Sequence, residues 1–294
     1  VLSGCSSPSA PAASRPPTPL PSISAASSPE PAPVDVSAEL AALEAEFDAR
    51  IGVSAVDTGS GRQVLHRQDE RFGYASSIKA LAAAEFLRSV PADERDEVVT
   101  WTAADVEAAG YSPVTGESID GGLPLAQLAE AAVRRSDNTA LNLVLDRLGG
   151  PIALDRALEQ LGDTTTDVVD EEPALNTIAP GSTANTTTPA AFTADLTAVA
   201  LGEALLAADR TLLLDWMSGN ATGDALIRAG APEGWAVADK SGGAGGLRND
   251  VAVVTPPGRD PIVLSVLASR DDPEADYDDA LVARAAAVVL GALH

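Results

Sequence analysis

The sequence predicts an α/β (α+β) fold: a five-stranded antiparallel sheet flanked by helices, with an all-helical subdomain inserted after the second strand. Two strand-like segments lie between residues 51 and 68 and three more between 235 and 269. The stretch between them, about 77–229, has helical apolar spacing. Amphipathic segments at 37–49 and 277–293 bracket the strands, which lets both helices cover one face of the sheet.

The folded part is expected to occupy residues 36–294, starting near Asp35. Residues 37–49 (SAELAALEAEFDA) read as a helix with Ser37 as its N-cap. IGVSAVDT (51–58) and RQVLHRQ (62–68) read as strands joined in a hairpin at Gly59-Ser60-Gly61. Within the helical run, 125–135 and 139–149 are helices separated by a polar triplet. WAVADKS (235–241), LRNDVAVVTPP (247–257) and PIVLSVLAS (261–269) supply the remaining strands, and 277–293 closes the chain as a helix.

Ahead of this lies a segment of different character. Residues 6–35 are Ser, Pro and Ala with almost no charge, a composition that stays extended and partly polyproline II. Residues 1–5 read as the remnant of a signal peptide. Leu2-Ser3-Gly4-Cys5 resembles a bacterial lipoprotein box, in which the Cys is lipidated. The expectation is an exported protein anchored through Cys5 to the outer face of the cytoplasmic membrane, or secreted if unlipidated.

Composition narrows the chemistry. The formal net charge of -24 disfavours nucleic acid and anionic membrane as partners. Cys5 is the only cysteine, so no intrachain disulfide is possible. The two histidines are His66 and His294; a Ser-His-Asp triad would have to use His66, and a His-rich zinc site lacks ligands. Of the 19 basic residues, only Lys79 and Lys240 are lysines. Arginine stays protonated, whereas a buried lysine can be tuned to accept a proton, so these two are candidates for catalysis.

Three motifs surround them. Ser76-Ser77-Ile78-Lys79 sits where a helix begins, with the hydroxyl at the helix N-terminus and the amine one turn on, on the same face. Ser136-Asp137-Asn138 lies between two helices, where a cap and turn is the ordinary reading and a proton-shuttling serine the functional one. Lys240-Ser241-Gly242 ends a strand whose edge can meet an extended substrate, with Gly242 and Gly243 permitting close approach.

In this order, Ser-x-x-Lys, Ser-Asp-Asn and Lys-Ser-Gly resemble the motif set of class A β-lactamases and penicillin-binding proteins. From about residue 38 to the end the chain is similar to the class A serine β-lactamase family, through RIGVSAVDTGSGR, RFGYASSIK, YSPVT, RRSDNTALNLVLDRLGGP, EEPALN, ADKSGG and RNDVAVVTPP. The resemblance implies Ser76 as nucleophile, Lys79 as its proton-accepting neighbour and Ser136 as the shuttle to the β-lactam nitrogen. It implies Glu172 and Asn176 as holders of the hydrolytic water and Asn138 as a substrate amide contact. Lys240, Ser241 and Arg248 would bind the substrate carboxylate. The backbone N–H groups of Ser76 and Gly243 would form an oxyanion hole, with Tyr111 walling the cleft. No cofactor or metal is implied, the partner is a β-lactam small molecule, and a monomer is expected.

The chain also departs from the family pattern. The Arg and Asp that usually pin the loop around Glu172 are replaced by Asp170 and Asn185, leaving a side-chain hydrogen bond as the substitute and a looser loop as the expectation. The hairpin after Lys240 is one residue short, and Ala174 stands where an acidic residue is usual. The alternatives are a penicillin-binding or peptidoglycan-directed acyltransferase that deacylates slowly, a related glutaminase, against which Glu172 with Asn176 argues, and a non-catalytic cell-wall-binding lipoprotein.

Overall fold

The computed structural model describes residues 1, 2, 4, 32–272 and 275–294. Cys5 and nearly all of the Ser/Pro/Ala segment lie outside the described residues. The chain divides into Val1–Glu30 and Pro31–His294, and every described helix and strand belongs to the second unit.

The elements run in the order α1 (Ser37–Phe47), β1 (Ala49–Asp57), β2 (Gln63–His66), β3 (Phe72–Gly73), a 3-10 turn (Ala75–Ile78), α2 (Lys79–Ser89), β4 (Val98–Val99), α3 (Ala103–Ala109), β5 (Leu123–Pro124), α4 (Leu125–Arg134), α5 (Asn138–Leu148) and α6 (Pro151–Leu161). There follow β6 (Thr186–Thr187), α7 (Pro189–Ala200), α8 (Ala207–Ser218), α9 (Ile227–Gly230), β7 (Ala236–Ala244), β8 (Leu247–Thr255), β9 (Ile262–Arg270) and α10 (Asp279–Ala292).

The main sheet has five strands in the order β2-β1-β9-β8-β7, all antiparallel. β1 therefore pairs with β9 from the far end of the chain, with Val53 opposite Val266. Alternation along the strands splits the core in two, because successive side chains face opposite ways. Val251 and Val253 pack toward the helical subdomain. Ala252 and Val254 pack toward α1 and α10, among Leu40, Val282, Val289 and Leu290. Each leucine fully buried there contributes about 2 kcal/mol of transfer free energy.

On the other face, α2 is buried along most of its length. Its run of Ala80, Ala82, Ala83 and Ala84 lets α4, α5 and α8 pack around it. A helix enclosed on all sides holds its N-terminal residues firmly, and Lys79 is the first of them.

Some local expectations need correction. Ser37 is not the N-cap of α1: Val36 occupies that place, without a side-chain hydrogen bond. Asp35 instead accepts from the Ser37 N–H at 3.0 Å. Ser76 is in a 3-10 turn, and the α-helix proper starts three residues later. β2 ends at His66 because Arg67 has a positive φ of 43°. Two further two-residue pairs, β3–β6 and β4–β5, are too short for alternation to reveal.

Candidate active site

The position of Ser76 is set by backbone contacts. Gly242 on β7 passes so close to the turn before α2 that a Cβ there would lie 2.9 Å from both Ser77 N and Tyr74 O. Asn249, fully buried on β8, donates from Nδ2 to Gly73 O at 2.7 Å and to Tyr74 O at 3.0 Å. Its Oδ1 accepts from Ala268 N on β9 at 3.1 Å. Ala75 is held at φ 46°, a left-handed conformation that swings the chain into the Ser76 turn.

Lys79 is fully buried, and its Nζ meets oxygens on every side. It donates to Ser76 Oγ at 2.8 Å, Asn138 Oδ1 at 2.6 Å and Ser136 O at 2.9 Å. Glu172 Oε1 is also 2.9 Å from it. Ser76 Oγ donates to that same carboxylate oxygen at 2.9 Å. Burial lowers the Lys79 pKa from its ordinary value, against the opposing pull of Glu172 and Asp137. A lowered pKa makes the neutral, proton-accepting amine easier to reach.

Ser136 bridges the two lysines. It lies between α4 and α5 at φ 54°. Its Oγ is 3.4 Å from Lys79 Nζ and 3.1 Å from Lys240 Nζ. Lys240, also fully buried, donates to Ser241 O at 2.7 Å. Burial, reinforced by repulsion from Lys79, brings Lys240 down to about 7. Asp137 is structural: its carboxylate caps α5 through Ala140 N and accepts from Val114 N, Thr115 N and Thr115 Oγ1.

Glu172 arrives on the loop between α6 and β6, where the Glu172–Pro173 peptide is cis. Asn176 donates from Nδ2 to Glu172 Oε2 at 2.6 Å. Asp170 and Asn185 do form the side-chain hydrogen bond, Nδ2 to Oδ2 at 2.8 Å. Asn185 Oδ1 in turn accepts from Tyr74 Oη, Val169 N and Asp170 N. The loop is therefore fastened by several bonds to one amide rather than by a single substitute for an ion pair.

The sequence-predicted residues Ser76, Tyr111, Ser136, Asn138, Glu172, Asn176, Ser241, Gly243 and Arg248 all line one cavity of about 450 Å³. Tyr111 is exposed at its mouth. Arg248 is held by Asp279 Oδ1 at 2.6 Å and lies over the Tyr277 ring at 4.5 Å. Asn138 Nδ2 donates to Ala109 O at 2.9 Å, so its amide is engaged at both ends. His66 is elsewhere, on the sheet edge opposite β7 and beside Glu44.

Besides Asn249, three residues escaped the sequence reading. Asn142 accepts from Glu172 N at 2.9 Å and donates to Glu172 O at 2.8 Å. Its signal was its place one turn after Asn138 on the same helix face. Thr222 shares a 2.6 Å hydrogen bond with Ser241 Oγ. Asn220 links Thr222 to Asp239, which is paired with Arg228. No motif marks these two, because their link to Ser241 appears only once the loop folds back on β7.

A family profile described as the beta-lactamase enzyme family matches residues 35–293. The chain belongs to that family. It is 49% identical to a β-lactamase of Bacillus amyloliquefaciens over 249 residues, covering 84% of this chain and 81% of the relative. It is 47% identical to a β-lactamase of Bacillus licheniformis over 257 residues, 87% of this chain and 83% of the relative. The crystal structure of a class A β-lactamase from Clostridium kluyveri superposes with a TM-score of 0.85 at 41% identity, covering 87% of this chain and 98% of that one.

Proposed function

We propose that this protein hydrolyses β-lactams through an acyl-enzyme on Ser76, which water activated by Glu172 then removes. One observation carries the reading: Ser76 Oγ lies within hydrogen-bond reach of both Lys79 Nζ and Glu172 Oε1. The same small volume thus holds a nucleophile, a buried amine and a carboxylate base, as acyl transfer followed by hydrolysis requires.

Ser76 attacks the lactam carbonyl as its proton passes to the Lys79–Glu172 pair. The N–H groups of Ser76 and Gly243 receive the oxyanion. Ser136 Oγ, between the two lysines, hands a proton to the lactam nitrogen as the C–N bond breaks, and is reprotonated from Lys79. Lys240, Ser241 and Arg248 hold the substrate carboxylate, Asn138 contacts the substrate amide and Tyr111 walls the cleft. The local cationic pair outweighs the -24 formal charge at short range because salt screens the distant acidic groups. Glu172, supported by Asn176, deprotonates the water that cleaves the ester, and no cofactor or metal enters a step. The lipobox resemblance supports export with a lipid anchor at Cys5 and a role in antibiotic resistance, and the enzyme is taken to act as a monomer.

The test is intact-mass kinetics of acylation and deacylation with a chromogenic cephalosporin, wild type against Glu172→Ala. The wild type turns over, and the variant accumulates a Ser76 adduct whose loss is slowed by about 10²-fold or more. Equal deacylation in the two removes Glu172 from the mechanism. A long-lived adduct on the wild type itself identifies a penicillin-binding acyltransferase instead.

A further inference from the structure

A second cavity, of about 340 Å³, opens where α6 ends beside α7. Asp163 and Asp195 form part of its wall, 8% and 3% exposed, with their carboxyls in hydrogen-bonding contact. Asp163 follows Gly162, the left-handed residue that ends α6. Its Oδ1 accepts from Thr165 N at 2.7 Å and Thr166 N at 3.1 Å. The Oδ2 atoms of Asp163 and Asp195 are both buried, and no N–H or O–H donor reaches either.

Among the described residues, no Lys, Arg or His lines this cavity. The third acidic residue there, Asp69, accepts from Gln68 Nε2 at 3.0 Å. Two adjoining buried carboxyls disfavour a second ionisation, so one pKa is strongly raised. A metal ion is the rival solution. It would want about six or more oxygen ligands, whereas only two carboxyls converge here, already close enough to share a hydrogen.

We propose that Asp163 and Asp195 hold one proton between them, and that this shared proton fastens the start of the Glu172 segment to α7. The hydrogen resides on Asp195 and is donated to Asp163, whose other oxygen is already committed to two backbone N–H groups. Burial, and after it the Asp163 charge, pushes Asp195 up to about 9. Burial works the same way on Asp163, but hydrogen bonds, first from Thr166 and then from Asp195, hold it below its usual value. From Thr166 the fastening continues: its Oγ1 is 2.7 Å from Thr187 Oγ1, and Asp167 pairs with Thr186. The bearing of this clamp on deacylation rests on the role proposed for Glu172; the shared proton rests on the two buried, otherwise unpaired Oδ2 atoms and on the contact between the carboxyls.

The sign of the pH effect is fixed. Between the unfolded value near 3.8 and about 9, the folded protein keeps a proton that the unfolded chain has released. The Asp195 contribution to stability therefore falls as pH rises through that window and levels off above it. Asp195→Asn supplies a permanent N–H to Asp163 and takes up no proton. Urea denaturation from pH 6 to 9 should show the variant-to-wild-type ratio of folding constants rising about tenfold per pH unit, flattening near the top of the range. Parallel pH profiles would overturn the proposal. So would a calcium-dependent rise in the wild-type midpoint that the variant lacks, which would assign a cation. Should Asp195→Asn not fold, Asp163→Asn keeps the amide oxygen for Thr165 and Thr166 and gives the same comparison. The infrared difference spectrum, wild type minus variant at pH 7, should contain a protonated-carboxyl band; its absence would also overturn the pair.

Discussion

Asn185 donates from Nδ2 to Asp170 Oδ2 at 2.8 Å, joining the two ends of the loop that carries Glu172. The amide suits this chain because Asp170 is acidic: a carboxylate at 185 would face a carboxylate. Asn185→Asp should therefore destabilise the protein near neutral pH and recover toward acid pH, as one of the pair takes up a proton. Adding Asp170→Arg should restore the thermal midpoint by creating an ion pair in place of the hydrogen bond. Asn185→Ala should cost about 3 kcal/mol, because Tyr74 Oη and two backbone N–H groups lose their acceptor and φ 59° suits Ala poorly. Thermal denaturation of the four proteins at two pH values checks all three statements.

Asn142 grips the Glu172 peptide at both its N–H and its C=O. Asn142→Ala removes both bonds without touching Ser76, Lys79 or Ser136. Deacylation should slow by about 10²-fold from misplacement of the carboxylate, while the acylation burst keeps its amplitude. Stopped-flow bursts with a chromogenic cephalosporin separate the two steps, and equal loss in both would deny Asn142 this selective role.

Much of this architecture was legible beforehand. Short apolar runs bounded by turn residues and the two bracketing helices gave the sheet; the main strands are buried on both faces, so they read as near-continuous apolar runs. Ser76, Lys79, Ser136 and Lys240 were legible because their motifs are local and lysine is otherwise missing from the chain. Asn142, Thr222 and Asn249 were not, because each acts across an element boundary: Asn142 is 30 residues from Glu172, and Asn249 is 175 from Tyr74. The full set of contacts that holds the loop was not legible for the same reason. The sequence shows that Arg and Asp are missing from their places, but not that Tyr74 Oη comes round to share Asn185.

Gly242 and Gly243 make a paired test of close approach. A Cβ at Gly242 would sit 2.9 Å from backbone atoms of the Ser76 turn, which cannot yield without moving Ser76. At Gly243 the nearest atom, also at 2.9 Å, is the tip of the Arg248 side chain, which can swing aside. Gly242→Ala should lower kcat/KM by about 10²-fold and stability by about 1–3 kcal/mol. Gly243→Ala should fold normally and alter mainly KM, through Arg248. Steady-state kinetics with urea melts distinguishes them, and similar losses in both would deny the difference between a backbone and a side-chain neighbour.

Lys240 sets the final prediction. Burial and the neighbouring Lys79 bring it down to about 7, while Asp239, Asp250 and Glu172 pull the other way. In the free enzyme its charge is therefore lost as pH rises through about 7, and with it part of the attraction for an anionic substrate. A bound carboxylate favours the charged form, so the loss should fall on capture rather than on turnover. The expected result is a kcat/KM that declines above about pH 7 while kcat holds to higher pH. Lys240→Arg keeps its charge throughout, so the decline in kcat/KM should vanish even though the bulkier head, misplaced against Ser136 Oγ, lowers the rate overall. The stability effect has the opposite sign to that of Asp195: between about 7 and the ordinary lysine value of 10.5 the unfolded chain binds the extra proton, so the Lys240 contribution improves with rising pH. A pH–rate profile in which kcat and kcat/KM decline together would place the titration in the bound complex and remove Lys240 as its source.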